Sequence, residues 1–343
     1  MADSSDTTGK ARIGFVGLGI MGTDLLKSIL PCPKAHVTAL CDISAEALER
    51  AREVAPEPVS LYDNIEAMLH AEHLDGVVVA APQSVHASLS ITALQAGCHV
   101  FCEKPMALNS NDCRKMISVA IKAGKGLMIG QVLRYIGPYR FVLEQAKSGS
   151  LGEPFAMRVI RTMQGWSSPW LRPWRLHEAE CGGLLHEMNI HEIDLMIRIL
   201  GDPVRVTAGG GRFANQQVDY EDFISANIEF ANGSIGSVTS SCHDLHGRNS
   251  GELLCRNGAA YYDSVSGTVR IARTGQDTEI LPYAEIGKDW EPAVPREMRE
   301  FVEACLGEYP ITIPGEEGMM AVAVCEAAYK SVRENRPVQI CSL

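Results

Sequence analysis

The sequence predicts an α/β protein in which a doubly wound parallel sheet is followed by a second α/β domain with a mostly antiparallel sheet. Three observations lead to this prediction. Apolar strand patterns and helix patterns alternate up to residue 130, which is typical of a parallel sheet with helices on both faces. A glycine-rich turn joins the first of these strands to the first helix. In the second half, short strand patterns follow one another and are joined by Asn-Gly turns.

The composition is that of a globular protein of about two domains, with 343 residues, of which 46% are hydrophobic and 21% are charged. The formal net charge is -11 and no basic stripe with interleaved aromatic residues is present, so we expect neither nucleic acid nor an anionic membrane as a partner. The polar start and the lack of an apolar run of ~20 residues predict a cytoplasmic protein. The 11 cysteines contain no C-x-x-C pair, which favours free thiols.

The turn after the first strand has the pattern Gly17-x-Gly19-x-x-Gly22, and a helix pattern follows it. In a dinucleotide-binding turn the first glycine permits the tight turn, the second lets the backbone approach a pyrophosphate, and the third lets helix pack on strand. Asp42 ends the second strand, where it can bind the ribose 2′-hydroxyl, and no arginine follows directly to hold a 2′-phosphate. The sequence thus favours NAD over NADP. The alternative is a glycine turn with an unrelated aspartate.

The alternation continues through the rest of the first half. Helices are predicted at 44–54, 65–71, 88–96 and 109–123, and buried strands at 36–41, 77–81, 99–102 and 126–130. The strand at 99–102 ends abruptly at Glu103-Lys104-Pro105. Because ligands of such sheets bind beyond the carboxyl ends of the strands, we interpret Lys104 as the chemical centre. The alternative is a surface Glu-Lys pair.

The helix predicted at 184–200 carries candidate acid-base residues. Glu187 and His191 are four residues apart, about 40° around a helix, so they share a face with Asp194. His186 and His191 are five apart, about 140° around, so this is not an H-E-x-x-H zinc helix and we predict no metal site. Taken alone, a histidine such as His191 is more often structural, with its hydrogen bonds satisfied, than catalytic.

The other elements of the second half complete the prediction. A helix is expected at 140–147, a strand at 154–162 and a long loop at 163–183, followed by strands at 224–230, 234–240, 253–256, 259–263 and 268–272 and by helices at 295–306 and 315–333. Asn232-Gly233 and Asn257-Gly258 are hairpin signals between these strands. The predicted domains are residues 1–131, which bind NAD, and residues 132–343.

The combination of GFVGLGIMG, Asp42, APQSVH, AGCHVFCEKP, LRYIGPYR and GDPVRV resembles the glucose-fructose oxidoreductase and inositol dehydrogenase family, Gfo/Idh/MocA, over nearly the whole chain. The resemblance implies an N-terminal doubly wound Rossmann domain plus a C-terminal α/β domain with a large, mostly antiparallel open sheet, and it implies that residues 132–343 bind substrate and support oligomerisation. It implies NAD(P)-linked oxidation or reduction of sugars and cyclitols, a homodimer or homotetramer, a catalytic Lys104 and a cis Lys104-Pro105 bond.

With the resemblance, the sequence predicts three sets of site residues. The catalytic set is Lys104, His191 and Glu187. The cofactor-binding set is Gly17, Gly19, Ile20, Met21, Gly22, Asp42, Ala81, Pro82, His86, Glu103, Lys104 and Gln131. The substrate-binding set is Lys104, Arg134, Trp166, Trp174, Glu187, Asn189 and His191.

The tryptophans of the set belong to the loop 163–183, which carries Trp166, Trp170 and Trp174. Pro169 and Pro173 forbid a regular helix there. We expect a lid whose rings stack on a sugar face, and the alternative is packing against the sheet or a neighbouring subunit.

The chain departs from the family pattern at four positions. Gln83 stands where the family more usually has Asn, and Cys181 replaces the first of three glycines. Glu187 replaces the usual Asp and Asn189 replaces a usual Gly, which affects the size of substrate that the site accepts.

Three functions fit the sequence. The first is an NAD-dependent dehydrogenase, in which His191, with the ordinary histidine pKa of about 6.5, takes the hydroxyl proton and Lys104 binds the hydroxyl. The second is redox-neutral glycoside cleavage through transient sugar oxidation by tightly bound NAD. The third is a non-catalytic NAD-binding regulator.

Overall fold

The computed structural model describes residues 9–55 and 57–340, which form two compact units. The first unit comprises the chain up to Ala107, Asn111–Gly130 and Glu291–Gly318. The second comprises Leu108–Ser110, Gln131–Trp290 and the chain from Met319 onward. Among the described residues, none of the helices combines the length and the apolar character that crossing a membrane requires.

The first unit is built on a parallel sheet of six strands. These are β1 (Ala11–Val16), β2 (Ala35–Cys41), β3 (Ser60–Tyr62), β4 (Gly76–Val79), β5 (His99–Glu103) and β6 (Leu127–Gly130), in the order β3-β2-β1-β4-β5-β6. The helices between them are α1 (Ile20–Ile29), α2 (Ala45–Arg52), α3 (Ile65–Ala71), α4 (His86–Gln95) and α5 (Ser110–Ala123). This confirms the doubly wound Rossmann sheet. The strand order reverses beside β1, which is where such sheets bind ligands.

The second unit contains a sheet of nine strands, and its mostly antiparallel character is also confirmed. The strands are β7 (Pro154–Thr162), β8 (Pro203–Gly211), β9 (Phe223–Phe230), β10 (Ile235–Ser241), β11 (Arg248–Cys255), β12 (Gly258–Asp263), β13 (Thr268–Arg273), β14 (Glu279–Pro282) and β15 (Val338–Gln339), in the order β14-β13-β12-β11-β7-β10-β9-β8-β15. β7 and β10 pair in parallel, and all other neighbours are antiparallel.

Two helices pack against the second sheet. The remaining helices of the chain are α6 (Gly137–Ser148), α7 (Glu178–Cys181), α8 (Ile190–Leu200), α9 (Ala293–Cys305) and α10 (Gly315–Glu334). α8 lies against β7 and β10, and α6 lies against β12. α8 begins immediately after a π-turn at Leu185–Asn189, so the regular helix predicted over 184–200 is interrupted at its start.

The helix α9 belongs to the first unit, although it lies far beyond the predicted boundary at residue 131. Met298, Phe301 and Val302 of α9 are completely buried in the hydrophobic core that also contains Phe15 and Phe101. The rings of Phe101 and Phe301 meet edge to face with centroids 5.8 Å apart. The first unit therefore completes its core with a segment from the end of the chain.

Candidate active site

The glycine turn after β1 has the geometry that a bound pyrophosphate requires. A Cβ on Gly17, whose φ is +87°, would lie 2.5 Å from the nitrogen of Ala81, and a Cβ on Gly22 would lie 1.9 Å from the carbonyl oxygen of Gly17. Beside Gly19, in contrast, no atom of the described residues other than its chain neighbours lies within 4 Å of the Cβ position. α1 begins next, at Ile20 and Met21, without an acidic residue in its first turn. Open space at a helix N-terminus suits an anionic group.

Asp42 holds this turn in place. One carboxylate oxygen accepts a hydrogen bond from the backbone nitrogen of Leu18 at 2.6 Å, and the other accepts one from that of Ser44 at 2.8 Å. An ionised carboxylate has about four acceptor positions, so two remain for hydroxyl groups of a ribose. The next residue, Ile43, is 95% exposed and uncharged, so it offers no cation to a 2′-phosphate. The residues present therefore fit NAD.

The loops that follow β4 and β5 are joined by His86. Its two ring nitrogens lie 2.8 Å from the carbonyl oxygens of Ala81 and Pro105, and the side chain is fully buried. The predicted cofactor residues Ala81 and Pro82 are thus linked to the loop that carries Lys104. We expect His86 to support the cofactor site through the backbone.

The end of β5 and the segment that follows it contain Glu103, Lys104 and Pro105, which the sequence marks as a candidate site. Glu103 is buried and accepts a hydrogen bond from the backbone nitrogen of Lys104 at 3.0 Å. The Lys104-Pro105 peptide bond is cis, as the resemblance implied. Gln83 is buried in a turn at Gln83–Val85, directly after Pro82. Lys104 belongs to the first unit, whereas Glu187 and His191 belong to the second.

His191 is oriented by Gln131, a pairing that the sequence did not indicate. Nδ1 of His191 lies 2.7 Å from Oε1 of Gln131. Because an amide oxygen only accepts hydrogen bonds, Nδ1 carries the proton and donates the hydrogen bond to Gln131. A neutral His191 then has its lone pair on Nε2, which is the form that can accept a proton. The two residues are 60 positions apart, so no local pattern brings them together.

Glu187 and Asp194 have arginine partners. Nε of Arg175 donates to Glu187 at 2.6 Å, and both side chains are almost fully buried. Nε and Nη2 of Arg134 donate to the two oxygens of Asp194 at 2.6 and 2.5 Å. The predicted substrate residue Arg134 thus forms a bidentate ion pair within its own unit. This pair connects the segment that follows β6 to α8.

The tryptophans of the loop 163–183 surround Arg175. Its guanidinium carbon lies 5.4, 5.3 and 4.6 Å from the ring centroids of Trp166, Trp170 and Trp174, all within cation–π range. Trp166 also donates its indole proton to the Tyr220 hydroxyl at 2.8 Å, and that hydroxyl donates to the carbonyl of Arg175 at 2.8 Å. The structure therefore brings the predicted Trp166 and Trp174 together with Glu187, through an arginine that sequence reasoning missed.

Asn189 is the last residue of the π-turn, and its side chain is buried without a hydrogen-bond partner in the described residues. Both its amide nitrogen and its amide oxygen are unsatisfied. Such groups typically cost about 1–3 kcal/mol each when buried. An amide in this state beside Glu187 and His191 is suited to a ligand that supplies both a donor and an acceptor.

The glycine motif explains why Cys181 is tolerated. Cys181 is the last residue of α7 and is helical, so it needs no unusual backbone conformation. Gly182 and Gly183 have φ values of +72° and +83°, in the left-handed region that favours glycine. Only these two positions of the motif require glycine here.

His186 is a buried neutral histidine outside the predicted site. Nδ1 lies 2.8 Å from the Gly182 carbonyl oxygen, and the ring stacks on Tyr329 with centroids 5.9 Å apart. Burial lowers its pKa from 6.5 to about 4, despite the Gly182 hydrogen bond and Glu326, which act in the opposite direction. His186 is therefore uncharged at neutral pH in the folded protein.

The buried His186 predicts a pH-dependent loss of stability. Between pH 6.5 and 4 the unfolded chain binds a proton at His186 that the folded protein does not, so its contribution to stability is lost as the pH falls through this range. The shift corresponds to about 3 kcal/mol. Between pH 7 and 4 the free energy of unfolding should therefore fall in the wild type. We expect the fall to be about 3 kcal/mol smaller in a His186→Asn variant than in the wild type. Equal pH dependence in urea titrations of both proteins would contradict this assignment.

Two family models match the chain and cover most of it. Residues 11–131 match the Gfo/Idh/MocA oxidoreductase family, NAD-binding Rossmann fold, and residues 144–340 match its C-terminal alpha/beta domain. The chain belongs to the Gfo/Idh/MocA oxidoreductase family. Membership confirms the resemblance, the fold class, the prediction of a nicotinamide-dependent oxidoreductase and NAD as the cofactor of the fold.

Several characterised proteins resemble this Gfo/Idh/MocA member. Myo-inositol 2-dehydrogenase from Thermotoga maritima is 26% identical over 335 residues, 96% of this chain and 98% of that protein. The 2,7-anhydro-N-acetylneuraminate hydratase of Escherichia coli is 28% identical over 231 residues, 66% of this chain and 60% of that protein. The crystal structure of the WlbA dehydrogenase from Bordetella pertussis, in complex with NADH and UDP-GlcNAcA, has the same fold, with a TM-score of 0.88, 21% identity and 98% and 99% coverage.

Proposed function

We propose that this protein transfers a hydride between a secondary alcohol of a sugar, glycoside or cyclitol and NAD, with His191 as the base and Lys104 as the cation at the reacting hydroxyl. The hydrogen bond from His191 Nδ1 to Gln131 carries this proposal, because it leaves the lone pair on Nε2, where a base needs it. The dehydrogenases among the relatives support the reaction class.

NAD supplies the hydride acceptor when it is bound. We propose that Gly17, Gly19, Gly22 and the first turn of α1 hold its pyrophosphate and that Asp42 holds a ribose. In the alcohol-oxidising direction, the O–H bond breaks as Nε2 of His191 takes the proton, and the C–H electron pair leaves as hydride. The ammonium of Lys104 stabilises the negative charge that develops on the oxygen.

The remaining substrate residues act on the other hydroxyl groups. Glu187, held by Arg175 at 2.6 Å, offers a fixed carboxylate to a second hydroxyl. Asn189 offers an unsatisfied donor and an unsatisfied acceptor. Trp170 is 41% exposed and is the most accessible of the three rings around Arg175, so we propose it as the stacking platform in addition to Trp166 and Trp174.

A second candidate is a reaction without net oxidation, in which a transiently oxidised sugar loses or gains a group and is then reduced again. The hydratase from Escherichia coli favours this candidate, because its name describes addition of water rather than oxidation. NAD would then remain bound through the cycle. Glu187 would act in addition to His191 and Lys104, near the bond that is broken or formed in the oxidised sugar.

A single-turnover experiment separates these functions. The protein and NAD are mixed in equal amounts with free sugars, glycosides and cyclitols in turn, and nicotinamide reduction is followed while the products are analysed. Reduction that builds up to one equivalent, with a keto product, supports the dehydrogenase. Reduction that rises and decays as a cleaved or hydrated product appears supports the redox-neutral reaction. Absence of hydride exchange across a broad substrate panel would revive the third hypothesis, a non-catalytic NAD-binding regulator.

A further inference from the structure

A charged pair lies beside the π-turn that carries Glu187, and its arginine side chain, that of Arg161, is 30% exposed whereas its carboxylate is buried. Nη1 of Arg161, near the end of β7, donates to the carbonyl oxygen of Met188 at 2.7 Å and to the carboxylate of Glu192 at 3.0 Å. Glu192, in the first turn of α8, is completely buried. One guanidinium thus binds both sides of the junction between the π-turn and α8.

This junction decides how Glu187 is oriented relative to His191. In an uninterrupted α-helix, residues four apart are about 40° apart around the axis. A π-turn, with i→i+5 bonds, changes that phase, and such turns are frequently found at functional sites. Arg161 contacts this turn directly, because it donates to the carbonyl oxygen of Met188, which lies between Glu187 and His191 in the chain.

The groups around the pair are not arranged for stability alone. The Asn249 side-chain nitrogen donates to the Tyr139 hydroxyl at 2.7 Å and reaches Glu192 at 3.4 Å. In the described residues the second oxygen of Glu192, the amide oxygen of Asn249 and the Tyr262 hydroxyl are buried without hydrogen-bond partners. Burial raises the pKa of Tyr139 and Tyr262, so both are phenols rather than charged partners.

Physical chemistry favours a functional reason for such a pair. A buried ion pair is often no more stabilising than two apolar side chains of similar size, whereas removing one partner is strongly destabilising. Here the carboxylate has a further unsatisfied oxygen, which adds to the cost. The distinctive property of the pair is its geometry, since it holds the carbonyl of Met188 and the first turn of α8 at one point.

We infer that Arg161, with Glu192, is a positioning residue that fixes the π-turn and thereby the orientation of Glu187 relative to His191. The inference rests on the proposed function. Misplacing a reacting group by about 1 Å can lower the rate about 100-fold, so loss of Arg161 is expected to affect the chemical step more than substrate binding.

The test compares Arg161→Met, Glu192→Leu and the double variant with the wild type. Melting temperature, kcat and KM are measured with the substrate found in the single-turnover screen. We expect the single variants to melt at lower temperature, and the double variant to regain most of the lost melting temperature because no charge is left unpaired. Its kcat is expected to stay about 10–100-fold below the wild type, with KM changed less than about threefold.

Two conservative variants are the matched controls. Arg161→Lys keeps a cation at the Met188 carbonyl and is expected to recover most of kcat. Glu192→Gln leaves Arg161 on that carbonyl and is expected to stay within about threefold of the wild type. A double variant with wild-type kcat and melting temperature would show that the pair is only structural. An Arg161→Met variant with unchanged kcat would also show that the pair is only structural. This second result decides the question if the double variant does not fold.

His191→Asn separates failure of this inference from failure of the proposed function. If His191→Asn remains active, the proposed chemistry is wrong. If His191→Asn is inactive and the Arg161→Met/Glu192→Leu protein is fully active, only the positioning role is wrong.

Discussion

A His191→Asn variant is expected to lose about 10²–10⁴-fold in kcat/KM, the range that a general base typically contributes. Asparagine retains an amide that can still donate to Gln131, so the neighbouring packing is preserved. It lacks the lone pair that Nε2 supplies, and the hydroxyl proton then has no acceptor of suitable basicity. Steady-state kinetics of nicotinamide reduction measure the loss.

Gln131→Leu is the matched control for the tautomer argument. It leaves His191 in place and removes the acceptor for Nδ1, which lies 2.7 Å away in the wild type. We expect a smaller loss in kcat, because the imidazole remains but is no longer held in one tautomer and orientation. Equal activity of wild type and His191→Asn would refute the role of His191 as base, and full activity of Gln131→Leu would refute the tautomer argument.

A Lys104→Met variant is expected to reduce kcat by about 10²–10³-fold or more, because removing one donor at a developing negative charge has an effect of this size. Methionine has nearly the length of lysine without its charge, so the change isolates the ammonium. Affinity for NAD should remain nearly intact, since the glycine turn and Asp42 lie elsewhere in the first unit. Fluorescence titration with NADH measures that affinity separately from turnover.

Two results would contradict the assignment of Lys104. Normal turnover in Lys104→Met would place the reacting hydroxyl elsewhere. A large loss of NADH affinity with an unchanged rate at saturating cofactor would make Lys104 a cofactor-binding residue only. Glu103→Gln is the neighbouring control, because it keeps an acceptor for the backbone nitrogen of Lys104 and changes only the charge beside it.

The features that the sequence predicted well are those that depend on short-range residue patterns. β7 spans Pro154–Thr162 as expected, and the glycine turn, β5 and the following cis peptide bond lie where the motifs placed them. Each depends on residues within about ten positions, so periodicity and turn chemistry suffice. β3 was missed because three half-buried residues, Ser60–Tyr62, carry too little pattern.

The features that the sequence did not predict depend on distant partners. Nothing local pairs Gln131 with His191, or Arg161 with the carbonyl of Met188. The π-turn was missed because the apolar pattern of 184–200 is compatible with a continuous helix, and the side chain that contacts the Met188 carbonyl comes from another element. α9 was assigned to the second domain because its sequence position says nothing about which core it completes.

The arginine within the tryptophan loop gives this protein an optical property of its own. The chain has four tryptophans, and three of them have their rings within 5.4 Å of the Arg175 guanidinium, next to Glu187. We therefore expect this loop to contribute much of the intrinsic ultraviolet emission. A ligand that displaces Arg175 or covers Trp170 is expected to change the polarity around these indoles, so that substrate binding at this loop could be followed by the emission without any added label.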